Sequence, residues 1–178
     1  MMSYLFKSAR LGFRIWEESD IEKMALINAD AVAMEFLPST RTLRETKAFI
    51  NKMQKMYAEK GYCYFAVDLL EDNSFIGFIG LAEQTYKADF TPCIDVGWRL
   101  AKKYWDKGYA TEGAKKCLKY GFDELGLSEI FAVAPVINNR SINVMKKIGM
   151  VKVKEFIHPQ LIDNERLRDC VLYKSSGN

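Results

Sequence analysis

Hydrophobic and polar residues follow strand-like and helix-like patterns in turn from the start of the chain. In Leu11–Trp16 apolar and polar side chains alternate, which predicts a strand with one buried face. Ser19 and Glu22 have capping-box spacing and predict the start of a helix. Asn28 and Asp30 are poor helix formers, and we expect this helix to break near them.

A second amphipathic helix follows. Thr42 and Glu45 form another capping box, and Gly61 is placed to end the helix. Its apolar residues recur on one helical face: Phe49, Ile50, Met53, Met56 and Tyr57.

The middle of the chain is rich in β-type residues. Tyr62–Leu70 and Phe75–Glu83 flank a turn at Glu71–Ser74, which predicts an antiparallel hairpin. Ile94–Leu100 predicts a further strand after a loop that contains Pro92.

Helix and strand patterns alternate in the second half. The helix patterns end near Gly126 and Gly149, and the apolar run Ile130–Val136 between them is typical of a central strand. Val151–Ile157 and a C-terminal DCVLYK predict the last two strands. The order β-α-α-β-β-β-α-β-α-β-β predicts an α/β (α+β) class. We expect a single domain over residues 1–178, with a mixed, mostly antiparallel central sheet of about seven strands flanked by about four helices.

Composition narrows the classes of function. The 178 residues, 49% hydrophobic and 28% charged, suit one globular domain with a sizeable core. The net charge is only +3, and lysine pairs such as Lys102–Lys103 are shorter than the basic runs of nucleic-acid patches. A small polyanionic ligand fits this balance better than nucleic acid does.

The chain lacks the patterns of export and membrane insertion. The segment MMSYLFKSARLGFRIW has no continuous apolar run, and no later stretch approaches the length needed to cross a bilayer. The cysteines are far apart, without metal-ligand spacing, which favours reduced thiols in the core. We expect a soluble cytoplasmic protein that binds neither a metal nor a membrane.

The segment Trp98–Gly113 runs from a strand through a short loop into a helix. A helix start offers unpaired N–H groups and the positive end of the dipole, which suit phosphate oxygens. Gly108 permits a close backbone approach, and three lysines supply positive charge: Lys102, Lys103 and Lys107. Taken alone, an ordinary loop with one glycine explains the segment more simply, because the common nucleotide motifs are absent.

A second segment, Asn138–Met150, also begins a helix just beyond a predicted strand. Asn138 or Asn139 is placed to cap it, with Ser141 in the first turn. Because both helix starts follow strands, both can open onto the same edge of the sheet.

Together these segments resemble the GNAT superfamily of acetyltransferases, and within it the RimJ/RimL-like group. WDKGYATEG is similar to that group's acetyl-CoA motif, and NNRSINVMKKIGM to its second signature. The likeness covers nearly the whole chain. Asp106, Gly113, Lys146 and Met150 depart from the usual residues, and Asp106 puts an anion beside the expected pyrophosphate.

The resemblance implies acetyl-CoA as co-substrate and assigns roles at the site. By this resemblance we expect the backbone of Trp98–Leu100 to pair with the pantetheine arm and the loop from Trp105 to Thr111 to wrap the pyrophosphate. We expect Asn138 to hydrogen-bond the pantetheine and Ser141 to lie near the thioester sulfur. The full cofactor set is Trp98, Arg99, Leu100, Trp105, Asp106, Lys107, Gly108, Tyr109, Ala110, Thr111, Asn138 and Ser141.

The implied reaction is direct attack of a neutral amine on the thioester, without an acyl-enzyme. Glu83, Asp95 and Glu112 are the candidates for a carboxylate that takes the proton through water. Each also has an ordinary structural explanation, such as favouring a helix N-terminus in the case of Glu112. Ser141 is the preferred donor to the departing thiolate, and Tyr104 or Tyr109 is the less favoured alternative.

The acceptor stays open at this stage. The resemblance to RimJ/RimL-like N-terminal acetyltransferases makes a protein or peptide N-terminal α-amine our first expectation. Such amines titrate near roughly 8 and are partly neutral at cellular pH. A polyamine, an aminoglycoside or another small amine is the alternative, and a non-catalytic acyl-CoA sensor is a third. The sequence leaves the oligomeric state open, a homodimer included.

Overall fold

The computed structural model describes residues 3–177. In this range eight strands form one sheet, and four α-helices pack against it. The strands are β1 (Phe6–Lys7), β2 (Leu11–Arg14), β3 (Tyr64–Leu69), β4 (Phe75–Gln84), β5 (Cys93–Leu100), β6 (Glu129–Pro135), β7 (Val151–Ile157) and β8 (Asp169–Ser176). The helices are α1 (Asp20–Ala29), α2 (Leu43–Lys60), α3 (Tyr109–Asp123) and α4 (Asn139–Lys147). No helix in this part of the chain is long and apolar enough to span a bilayer.

The sheet has the order β1-β2-β3-β4-β5-β6-β8-β7 and is mostly antiparallel. β5 and β6 are its parallel neighbours, and they meet at one paired position, where Asp95 lies opposite Phe131. β6 pairs with β8, by contrast, along its whole length from Glu129 to Pro135. Beyond Asp95, therefore, β5 and β6 leave a gap in the middle of the sheet.

Helices cover both faces of the sheet. On one face α2 packs through Phe49, whose ring centroid lies 5.3 Å from that of Phe78 on β4, and α1 packs beside α2. On the other face α3 packs where Gly113 leaves room for the side chain of Ile79, and α4 contacts α3 and β6. Neighbouring residues on a strand point to opposite faces, so Phe78 and Ile79 mark the two helix layers.

The predicted fold class is confirmed, with one strand more than expected. The additional strand is β1, where Phe6 stacks on Phe13 with ring centroids 4.5 Å apart. Two residues are too few to show an alternating pattern. α1 ends at Ala29, which lies within the break predicted near Asn28 and Asp30.

One of the two predicted capping boxes forms. The N–H of Glu45 donates to Thr42 Oγ1 at 3.2 Å, and the N–H of Thr42 donates to Glu45 Oε2 at 2.7 Å. The box predicted at Ser19 is wrong, because the Ser19 side chain makes no capping hydrogen bond. The helix does start there, because Ser19 occupies the N-cap position and Asp20 is the first helical residue. The buried carboxylate of Asp20 lies 2.6 Å from the guanidinium of Arg14.

Candidate active site

A cavity of ≈ 550 Å³ opens where β5 and β6 separate. Its walls come from the two strands, the start of α3, one side of α4 and the turn at residues 32–37. The cavity therefore reaches from the α3 and α4 side of the sheet towards the α1 and α2 side. It joins the two segments that the sequence singled out.

The edge of β5 offers backbone groups to this cavity. Ala101 N–H donates to Ile76 across the β4 side. Because backbone groups alternate in direction along a strand, those of Trp98 and Leu100 point towards the gap. The indole N–H of Trp105 donates to the Leu100 carbonyl at 2.8 Å. The remaining groups are placed to bind an extended chain that carries its own amides.

The start of α3 forms one end of the cavity. No side chain caps it, and its first helical bond runs from Glu112 N–H to the Gly108 carbonyl. The N–H groups of residues 109–111 therefore have no partner within the helix. Asp106 (φ 59°) and Gly108 (φ 80°) both adopt the left-handed conformation and turn the loop into the helix. Such a helix start is an anion-binding site.

Arg10 holds this loop against the rest of the molecule. Its Nε lies 2.7 Å from Glu112 Oε2, its Nη1 donates to the Lys107 carbonyl at 3.1 Å, and its guanidinium lies 4.5 Å from the Tyr109 ring centre. Ser8 Oγ also donates to Glu112, at 2.7 Å. Glu112 is thus engaged outside the cavity, and these contacts lower its pKa although burial opposes them.

Asn138 and Ser141 lie together at the start of α4. Asn138 Oδ1 accepts from the Ser141 N–H at 3.1 Å, and its Nδ2 donates to Ser141 Oγ at 3.1 Å. The predicted cap at Asn138 is therefore present, and both side chains also line the cavity. Between them in sequence, Arg140 places its guanidinium 4.5 Å from the ring centre of Trp105.

Asp95 is the candidate base that lies in the cavity. The Tyr64 hydroxyl donates to its Oδ1 at 2.6 Å, and Gln84 Nε2 donates to the Tyr64 oxygen at 3.1 Å. Burial raises the pKa of Asp95 to about 6, and the hydrogen bonds from Tyr64 and Gln84 oppose the rise. Burial and the neighbouring carboxylate raise the pKa of Tyr64 well above its usual value.

The predicted site residues divide into two groups. Twelve line the cavity: Asp95, Trp98, Arg99, Leu100, Trp105, Asp106, Gly108, Tyr109, Ala110, Thr111, Asn138 and Ser141. Glu83 lies outside the lining, with an oxygen 2.5 Å from Lys60 Nζ. Lys107 and Glu112 are also outside, although both belong to the loop and helix start that form its end. Among the three predicted bases, Asp95 is thus the one in position.

Several cavity residues were absent from the sequence-based assignment. Tyr64 and Phe78 stack with ring centroids 5.1 Å apart on the α1 and α2 side, beside residues 32–37. A glycine within a strand, here Gly97, indicates that another group approaches the backbone closely. In the structure this group is Tyr64, whose ring would lie 2.9 Å from a Cβ at position 97. Nothing in the sequence indicates that Arg10, which lies outside the cavity lining, holds the loop at Lys107 and Glu112.

Residues 10–151 match the family model described as an acetyltransferase (GNAT) domain. The chain belongs to the GNAT acetyltransferase family. It is 36% identical to the uncharacterized N-acetyltransferase YnaD of Bacillus subtilis over 142 aligned residues. The alignment covers 79% of each protein.

Solved structures agree with this assignment. A GNAT-family acetyltransferase from Bacillus anthracis superposes with a TM-score of 0.79 at 31% identity, over 96% of each chain. RimL, a ribosomal L7/L12 α-N-protein acetyltransferase solved with coenzyme A, shares the GNAT fold at a TM-score of 0.79 and 13% identity, over 98% of each chain. The predicted family is confirmed, and the protein is an N-acetyltransferase.

Proposed function

We propose that this GNAT enzyme transfers the acetyl group of acetyl-CoA directly to the α-amine of a peptide or protein N-terminus. The observation that carries the proposal is the Asp95–Tyr64 pair. It lies in the same cavity as the uncapped start of α3 and the open edge of β5. A proton acceptor, an anion site and a backbone edge are thereby combined in one space.

The site residues fit acetyl-CoA. The free N–H groups at the start of α3 suit the pyrophosphate, with the loop from Trp105 to Gly108 beneath it. The backbone of Trp98 and Leu100 suits the amides of the pantetheine arm. Asp106 brings a carboxylate close to the phosphates, and we expect the helix start and Lys107 to offset it.

Asp95 suits the proton transfer. With a pKa of about 6 its carboxylate is mostly ionised at pH 7, and it can accept a proton from the attacking amine through a water molecule. An α-amine, with a pKa near roughly 8, is neutral about a hundred times more often at that pH than a lysine amine near about 10. At neutral pH an α-amine is therefore far more available as the attacking nucleophile than a lysine side chain.

Ser141 is placed to assist the leaving group. The amine nitrogen bonds to the acetyl carbon, the carbon–sulfur bond breaks, and the Ser141 hydroxyl donates a hydrogen bond to the departing sulfur. A covalent acyl-cysteine intermediate is disfavoured, because burial raises the pKa of Cys93 to about 12 and raises those of the other three thiols as well.

The charges around the cavity favour a peptide over a polyamine. Its charged lining residues are Asp95, Arg99, Asp106, Arg140 and Lys147. Asp106 belongs to the loop from Trp105 to Gly108, which we call the cofactor loop, so the α1 and α2 side offers the carboxylate of Asp95 and the cation Arg99. A polycation such as spermidine needs an acidic groove, and this lining does not provide one.

The proposal is tested with Asp95→Asn. We expect kcat/KM for a tetrapeptide with a free N-terminal amine and uncharged side chains to fall by roughly 10²- to 10⁴-fold. The KM for acetyl-CoA should change little. In the wild type kcat/KM rises as pH increases through about 6, because Asp95 loses its proton there. Asp95→Asn loses this limb and keeps the one near pH 8 that belongs to the amine. Coenzyme A release and product mass are the readouts.

Glu83→Gln is the matched comparison, since it removes a carboxylate from the neighbouring strand outside the cavity. We expect it to retain wild-type kcat/KM. Equal activity of Asp95→Asn and wild type would refute the role of Asp95. Faster acetylation of spermidine than of any peptide would refute the proposed acceptor.

A further inference from the structure

Arg99 is a cation in the cavity that has no acidic partner among the described residues. Its Nη1 donates to Asn28 Oδ1 at 2.7 Å, and its guanidinium lies 5.2 Å from the Phe78 ring centre. A guanidinium has five N–H donors, so most of its hydrogen-bonding capacity is unused by these contacts. Desolvation lowers its pKa to about 9, and the nearby Arg41 acts in the same direction.

The acetyl-CoA phosphates do not explain this cation. Arg99 lies opposite Phe78 in the β4–β5 register, and its side chain contacts Asn28 of α1. It is therefore on the α1 and α2 side of the sheet. The start of α3, which suits the pyrophosphate, belongs to the helix layer on the other face. The partner of Arg99 must enter from the acceptor side.

Asp95 and Arg99 fix two points on that side. They lie four residues apart on one face of β5, so their Cα atoms are about 13 Å apart. An extended peptide covers about 3.5 Å per residue. About four residues of extended peptide span this distance, and the lengths of the Arg99 side chain and of the acidic side chain shorten it by one or two residues. With its amine near Asp95, a peptide can therefore bring the side chain of its second or third residue to Arg99.

We propose that Arg99 binds a carboxylate of the acceptor, which makes the enzyme selective for N-termini with an acidic residue at the second or third position. This inference rests on the proposed function and specifies its substrate class. A guanidinium and a carboxylate form a paired, charge-assisted hydrogen bond, and in a partly desolvated cavity such a pair is strong. Arg99 thereby determines specificity, while Asp95 takes the proton.

The test uses C-terminally amidated peptides, so that each carries at most one carboxylate. The pairs are Ala-Glu-Ala-Ala against Ala-Gln-Ala-Ala, and Ala-Ala-Glu-Ala against Ala-Ala-Gln-Ala. For at least one pair we expect the wild type to show a kcat/KM roughly ten- to hundredfold higher for the acidic peptide, mainly through KM. In Arg99→Met this ratio falls to about one, and in Arg99→Lys it is intermediate.

Arg140→Met is the matched control, because Arg140 also lines the cavity and stacks on an aromatic ring, but beside the cofactor loop. Arg140→Met should leave the ratio of kcat/KM between the glutamate and glutamine peptides of each pair unchanged. Equal kcat/KM values within both peptide pairs in the wild type overturn the inference, whatever the variants do, and leave the proposed function standing.

If the wild type acetylates none of these peptides, the proposed function fails instead. Titration calorimetry of each peptide pair into the coenzyme A-bound protein then decides the inference. Tighter binding of an acidic peptide that is lost in Arg99→Met supports it, and equal binding within both pairs overturns it.

Discussion

Two opposing effects set the proton affinity of Asp95. Burial disfavours the ionised carboxylate, whereas the hydrogen bond from Tyr64 stabilises it. Gln84 in turn donates to the Tyr64 oxygen, which keeps the hydroxyl proton directed at Asp95. The result is a carboxylate with a pKa close to neutral pH, the range in which a general base works best.

Tyr64→Phe should therefore move the acid limb of the pH–rate profile. Without the hydroxyl, burial is less opposed and the pKa of Asp95 rises further. The rise in kcat/KM then occurs at higher pH, so activity is reduced most near pH 6 and recovers as the solution becomes more alkaline. Tyr120→Phe is the control, since it removes a hydroxyl that donates to the Gly61 carbonyl away from the cavity. A limb that stays at the wild-type position would show that Tyr64 does not tune Asp95.

The sequence predicted those site residues whose roles depend on contiguous backbone. Trp98–Leu100 and the loop at Gly108 form one uninterrupted strand, loop and helix start, so their local order already implies their geometry. Tyr64 and Phe78 come from other strands. They reach the cavity through strand register, which depends on packing of the whole sheet. The local pattern of apolar and polar residues does not predict how the strands align with one another.

At the scale of elements, the cofactor loop depends on an unusual backbone conformation. Gly108 occupies φ 80° at the point where the loop becomes α3. Residues other than glycine rarely adopt this left-handed region of φ, since it brings Cβ close to the following carbonyl. The space around a Cβ there is adequate, because Arg10 is the nearest neighbour at 3.5 Å. Conformation rather than crowding is the constraint.

Gly108→Ala should consequently weaken acetyl-CoA binding more than folding. We expect it to cost roughly 1–2 kcal/mol of unfolding free energy and to raise the KM for acetyl-CoA several-fold as the N–H groups turn away. Gly126→Ala has a matched strain, with φ 66° and no atom within 4 Å of its Cβ, but lies after α3. It should lower stability similarly with an unchanged KM. Urea unfolding and steady-state kinetics measure both, and equal KM values for the two variants contradict the role of the loop.

The helix starts illustrate where sequence reasoning at the element scale succeeds and fails. The box at Thr42 is local, exposed and free of competitors, so it forms as predicted. At α1 the buried Arg14 bonds to both Asp20 and Asp68, from a helix and a strand respectively. This buried ion cluster fixes the start of α1, and Ser19 is left without a capping role. Asp68 is distant in sequence, so the spacing of Ser19 and Glu22 could not reveal it.

At the scale of the whole molecule, the sheet is least closely paired where the cavity opens between β5 and β6. The antiparallel neighbours pair over most of their shared lengths, while β5 and β6 share one paired position. The gap lets one cavity contact both helix layers, with the start of α3 on one side and Asp95 and Arg99 on the other. A ligand that pairs with β5 would complete hydrogen bonding that the sheet itself leaves open.

Coenzyme A should therefore protect the centre of the sheet against hydrogen exchange. We expect slower exchange for the inward-facing amides of Trp98 and Leu100 and for residues 109–111, because the ligand supplies their missing acceptors. The β7–β8 pair is the internal reference, since it is paired without ligand except at a bulge between Lys152 and Lys154, and none of its residues lines the cavity. At a hundred times Kd the added stability is about 2.7 kcal/mol, which corresponds to a rise in Tm of about 5–10 °C for a protein of this size. Protection at residues 109–111 without protection at Trp98 and Leu100 would mean that the ligand binds the helix start alone, and that β5 does not pair with it.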